Sequence, residues 1–98
     1  MKHGGWVYII TNKWHTVLYA GITASLSRRI MQHQEKMNPK SFTAKYNCDV
    51  LVYYRGYHSI EEAIAEETRI KGLSRKKKII LVTAMNPLCK DMYPNVEE

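Results

Sequence analysis

Glycine and proline are scarce here, five and three of 98 residues, which excludes collagen-like and low-complexity disordered classes. Hydrophobic residues at 45% and charged residues at 24% leave an ordinary globular balance. Long apolar runs are missing too. The longest aliphatic run, Ile79 to Val82, is far too short to span a bilayer, and Met-Lys-His-Gly-Gly-Trp at the amino end lacks the apolar stretch of a signal peptide. The expectation is a soluble, cytoplasmic protein with no membrane partner. Cysteine is limited to Cys48 and Cys89, far apart and without Cys or His at zinc-finger spacing, so free or buried thiols are expected rather than a disulfide frame or structural zinc. Acids are also few: 9 against 15 Lys and Arg give a net +6 and a pI near 9.4. Such an excess favours phosphate-bearing or membrane-surface partners.

The charge is unevenly spread. Residues 1–58 carry eight Lys/Arg against two acids; Ser59 to Ile70 carries four Glu against one Arg; Lys71 to Lys78 carries five positive charges and no acid. A basic surface interrupted by one acidic helix results. No repeat, linker or low-complexity stretch divides the chain, so residues 1–98 are expected to form one domain, with its motif-bearing core at about 5–93.

Trp6 to Thr11 and Thr16 to Gly21 are β-branched and aromatic runs around a four-residue loop, and read as a hairpin. A symmetric closure puts Tyr8 opposite Tyr19, on a face shared with Gly21, where the missing Cβ allows a close approach to the backbone. Thr23 to Ser27 can enter and cap a helix reaching about Met37, with Leu26, Ile30, His33 and Met37 inward. A basic, polar loop from Lys40 to Asp49 leads to a third strand, Val50 to Gly56. Ser59 with Glu62 is a capping-box pair opening a helix from Ile60 to about Lys71, stopped at Gly72. Ser74 to Met85 is a third helix, ended by Asn86-Pro87. The fold class is α+β: a three-stranded antiparallel sheet flanked by about three helices, in the order β-β-α-β-α-α.

Some positions suit chemistry as well as structure. Ile60, Ala63, Ile64 and Ile70 form an apolar stripe whose missing member is Glu67, a carboxylate that needs a cation, a proton or a metal to compensate it. The plain alternative, the commoner one at such edges, is that Glu67 lies at the stripe's edge and pairs with an Arg. Arg29 and His33 lie one helical turn apart, a fixed guanidinium fork beside a group that exchanges protons near neutrality; a surface Arg with a half-buried His is the plain alternative. Arg75-Lys76-Lys77-Lys78 places positive charge in a first helical turn, against the macrodipole, so it is either a solvated face or an anion-binding one. Tyr53, Tyr54 and Tyr57 are assigned to the core and its rim.

Taken together, Val7-Tyr8-Ile9, Tyr19-Ala20-Gly21, Arg29 with His33, Glu67 and Asn86-Pro87 resemble the GIY-YIG nuclease superfamily. The nearest likeness is to small stand-alone bacterial proteins similar to the N-terminal nuclease domain of the excision-repair endonuclease subunit. Trp6-Val7-Tyr8 stands where the family has Gly-Ile-Tyr, and Ala20 where the second motif has Ile; both changes touch packing and leave the chemical groups in place. Arg55 stands where an acid is expected in this subgroup.

The resemblance implies a metal-dependent DNA endonuclease or nickase of low sequence specificity, connected with DNA repair or recombination. Tyr8 and Tyr19 match the motif tyrosines, one of which activates water; Arg29 matches the arginine that stabilises the transferring phosphate; His33 lies close to the scissile group. Glu67 matches the ligand of a single Mg²⁺ or Mn²⁺, and Asn86 the late asparagine that organises the site. A phenol with its ordinary pKa near 10 needs the cation and basic neighbours to lower it. Lys45, Lys71, Arg75, Lys76, Lys77 and Lys78 are expected to contact DNA, with no small-molecule cofactor and room for a partner protein. The competing expectation is a non-catalytic or partner-activated nucleic-acid-binding adaptor of the same fold. A protein-interaction domain without nucleic acid ranks below both.

Overall fold

The computed structural model describes residues 3–93 and Val96; residues 1–2, 94–95 and 97–98 of the expected domain lie outside the described residues. Strand β1 (Gly5–Thr11) is the centre of a three-stranded antiparallel sheet, between β2 (Leu18–Thr23) and β3 (Val50–Tyr57). Every residue of β1 is buried, which is why its sequence is almost continuously apolar rather than alternating. Its odd positions Val7 and Ile9 join Ala20, Val52 and Tyr53 beneath helices α3 (Ile60–Lys71) and α4 (Arg75–Met85), which supply Ala63, Ile70 and Val82. The even positions Trp6, Tyr8 and Ile10 face Leu26 and Ile30 of α1 (Leu26–Gln34), with Cys48 and Leu51 completing that layer. Each such aliphatic side chain contributes roughly 1.5–3 kcal/mol of burial.

The hairpin differs from the expected closure. Tyr8 pairs with Gly21, and Tyr19 pairs with Ile10. The connection takes six residues because Asn12 builds it: its Oδ1 accepts from Thr16 N at 2.8 Å, its Nδ2 donates to Thr16 Oγ1 at 2.6 Å, and Thr11 Oγ1 donates to Val17 O at 2.6 Å. Thr16 and Val17 are thus used in the turn. The two-residue shift keeps parity, so both tyrosines remain on the α1 face.

Helix α1 ends at Gln34, not near Met37. Lys36 adopts a left-handed φ of 52°, with Lys36 N donating to His33 O and Met37 N to Gln32 O, a Schellman closure that turns the chain away. Met37 is consequently 62% exposed rather than inward. The stretch expected as a loop from Lys40 to Asp49 contains a short helix, α2 (Phe42–Lys45), capped by Ser41, whose hydroxyl accepts from Ala44 N at 3.2 Å. Ser59 caps α3 and Ser74 caps α4 by the same device. Beyond α4 the chain returns along β3, where Met92 N donates to Leu51 O at 2.7 Å, covering an edge strand. Among the described residues no helix is long and apolar enough to cross a membrane.

Candidate functional site

The Tyr8 ring lies over β2 at Gly21; a Cβ there would collide with the phenol's Cζ and Oη. The missing Cβ thus accommodates Tyr8 itself. This seats Tyr8 Oη 2.9 Å from His33 Nε2, while His33 Nδ1 is 3.0 Å from Thr43 Oγ1 and Thr43 Oγ1 is 3.3 Å from Ser41 Oγ. Strand, helix and the α2 turn therefore converge on one imidazole. Burial, followed by the Arg29 charge, lowers His33 below its ordinary 6.5, so the ring is neutral at pH 7, with one nitrogen donating and the other accepting. Assigning the Nδ1 hydrogen to Thr43 leaves Nε2 to accept from the Tyr8 phenol.

Burial pushes the Tyr8 phenol well above its ordinary value of 10.0; Tyr19 and Glu67 add to the rise, and Arg29 opposes it. Without a cation, desolvation in the sheet layer outweighs the nearby Arg29 guanidinium. Tyr19, Arg29 and Glu67 all act electrostatically on Tyr8, although Glu67 is carried by a helix on the opposite side of the sheet.

Glu67 lies between Ala63 and Ile70, both fully buried, and its side chain is only 15% exposed. The rest of the expected stripe is different, since Ile60 and Ile64 are exposed. Lys71 Nζ stands 3.5 Å from Glu67 Oε2, whereas Glu66 pairs with Arg69. The compensating charge at Glu67 is thus a solvent-facing Lys rather than an Arg. Arg29 is exposed and borders two concavities of about 380 and 270 Å³, both also lined by Gln32. Tyr19 stacks on Phe42, ring centres 6.1 Å apart, and meets His33 edge-on at 6.2 Å.

Asn86 is not brought to these groups. Its Nδ2 donates to Val52 O at 3.2 Å and Lys90 O at 2.7 Å, and its Oδ1 accepts from Lys90 N; this buried amide fastens the end of α4 to β3 because its donors are committed to main chain. Arg75 likewise serves structure, donating to Thr16 O at 3.0 Å and His15 O at 2.7 Å. Lys45, Lys76 and Lys77 are exposed, Lys78 is half-buried, and Lys71 belongs to the Glu67 pair. Arg55 is exposed and lies over the Tyr57 ring at 5.5 Å. Tyr53 is buried, Tyr54 and Tyr57 half-buried, and both cysteines are free, Cys48 within the core.

Thr43 and Phe42 were missed by sequence reasoning. The available signal was Ser41 three positions before Ala44, a cap pattern hidden inside a polar stretch. Among the described residues no cluster of three or more His, Cys, Asp or Glu could hold a metal. A single half-buried carboxylate, Glu67, still suits a hard cation that keeps most of its waters and takes further oxygens from substrate.

A family model described as the GIY-YIG catalytic domain matches residues 4–79. A UPF0213 protein of Vibrio cholerae is 31% identical over 80 residues, covering 82% of this chain and 79% of its own length. A UPF0213 protein of Pectobacterium carotovorum is 34% identical over 82 residues, 84% of this chain and 82% of its own. The solution NMR structure of a UPF0213 protein from Bacillus halodurans superposes with a TM-score of 0.57 at 31% identity, covering 90% of this chain and 92% of that one.

Proposed function

The chain belongs to the GIY-YIG family, a nuclease-type superfamily, and from that premise we propose that it hydrolyses DNA phosphodiester bonds as a metal-dependent endonuclease or nickase of low sequence specificity, in DNA repair or recombination. The observation that carries this reading is the Tyr8–His33 hydrogen bond at 2.9 Å, with Arg29 and Glu67 acting on the same phenol. Glu67 is the residue that would hold Mg²⁺ or Mn²⁺. Bound there, such a cation would supply Lewis-acid stabilisation of charge on the phosphate.

The chain's own groups supply the rest. Tyr8 stays protonated at rest and becomes a base only as its proton leaves: Oη takes a proton from the attacking water while passing its own to His33 Nε2. Thr43 holds the imidazole in the accepting tautomer. Arg29 suppresses His33 basicity in the free protein; a phosphodiester on Arg29 offsets that charge and makes His33 a better acceptor when substrate is present. Arg29 also stabilises charge on the transferring phosphate. Low specificity follows from groups that address phosphate and charge rather than base edges in a groove.

Nicking of supercoiled plasmid with Mg²⁺ tests the proposal. Glu67→Ala, Arg29→Ala and Tyr8→Phe should each lower the rate about 10²–10³-fold. Equal rates in the wild type and all three variants would overturn it. The Lys71 ammonium at 3.5 Å from Glu67 favours a second reading, a nucleic-acid-binding adaptor or partner-activated subunit in which Lys71 supplies the positive charge. That reading predicts steeply salt-dependent DNA binding without metal-dependent cleavage.

A further inference from the structure

The larger concavity beside Arg29, about 380 Å³, is not explained by phosphate chemistry alone. Arg29, Gln32 and His33 of α1 line it together with Tyr19, Met37 and Phe42. It exists because α1 stops at Gln34 and the left-handed Lys36 turns Met37 outward, while α2 presents Phe42 at its first position. Phe42 is the chain's only phenylalanine, yet it is 50% exposed. It continues a run of rings from Tyr19 to Tyr46, whose centre lies 4.6 Å from its own. Lys45 Nζ is held 5.9 Å from the Tyr46 ring.

The Tyr19 and Phe42 rings, the Gln32 amide and the Arg29 guanidinium in one small cavity ask for a planar ring with polar edges joined to an anion. An apolar peptide side chain would use the rings and leave Arg29 unanswered. A nucleotide uses all three: base on Phe42, base edge on Gln32, phosphate on Arg29. In uninterrupted duplex the bases are stacked within the helix and cannot enter. We infer that this cavity is a subsite for one unpaired nucleobase of DNA adjoining the cleaved phosphate, so that the preferred substrate is DNA with an unpaired base beside a duplex, at a flap, gap or mismatch.

The inference rests on the nucleic-acid reading of the Tyr8, Arg29 and Glu67 site. Its test uses the full chain in metal-free buffer at one fixed salt concentration, with a gapped or flapped duplex carrying 2-aminopurine at the unpaired position and a continuous duplex of equal length. The wild type should prefer the interrupted DNA and quench the probe. Phe42→Ala should lower the ratio of the two affinities on the order of tenfold, since loss of a base–aromatic stack corresponds to roughly 5- to 150-fold. Phe42→Tyr should restore the ratio, and Leu88→Ala, at a remote exposed position, should leave it unmoved. No preference in the wild type, or an undiminished one in Phe42→Ala, overturns the subsite. Adding Mg²⁺ separates the two claims. Cleavage without a Phe42-dependent preference removes the subsite and keeps hydrolysis; a Phe42-dependent preference without cleavage removes hydrolysis and keeps the subsite.

Discussion

At the scale of single residues, His33 carries the most consequence. It is held between Tyr8 and Thr43, and its pKa is lowered by burial and by Arg29. The unfolded chain therefore takes up this proton before the folded one does, so the stabilisation from neutral His33 is present above pH 6.5 and is lost as pH falls from 6.5 toward the folded value. Thermal unfolding followed from pH 7.5 to 5 should show a steeper loss in the wild type than in His33→Gln. Because bound phosphate offsets Arg29, the acid limb of kcat should lie at higher pH than that of kcat/KM, which reports the free protein. Coincident limbs would count against the proton route from Tyr8. Of these residues, Glu67 was legible in the sequence because a carboxylate interrupts an apolar stripe, even though only Ala63 and Ile70 of that stripe are buried. Thr43 was not, because a threonine in a polar stretch looks the same whether it faces water or an imidazole.

At the scale of elements, the basic run at the start of α4 divides into two kinds of residue that its charges do not distinguish. Arg75 ties the helix to the β1–β2 turn through two main-chain carbonyls, whereas Lys76 and Lys77 are exposed. Arg75→Ala should cost about 1 kcal/mol of stability in denaturant unfolding. Lys76→Ala with Lys77→Ala should leave stability nearly unchanged and flatten the logarithmic salt dependence of DNA affinity by about 2. A reversed pattern would place Arg75 on the DNA and the lysines in the fold. The three strands and the helices α1, α3 and α4 were readable from residue type, periodicity and caps; the short α2, the hairpin register and the end of α1 were not. Asn12's side chain lengthened one turn, and a left-handed Lys36 shortened one helix. Both are local choices that any Asn or Lys could have declined.

At the scale of the whole molecule, a net charge of +6 surrounds a site with one half-buried carboxylate and, among the described residues, no cluster of metal ligands. On the proposed reading, a cation held by Glu67 alone would contribute little to folding. Chelation with EDTA should abolish nicking while lowering stability by less than about 1 kcal/mol, as expected for a weak ligand near its dissociation constant; unfolding on chelation would mean a structural metal instead. The sequence by itself determined the α+β class, the three antiparallel strands flanked by helices and the kinds of chemical group available. These follow from period, apolar content and residue type, which are properties of the chain in order. Only the tertiary structure decided which groups meet. It sent Asn86 to the main chain of β3, buried Tyr8 against His33, and set Phe42 and Arg29 on one cavity. Desolvation and contact depend on neighbours distant in sequence, and packing alone selects those neighbours.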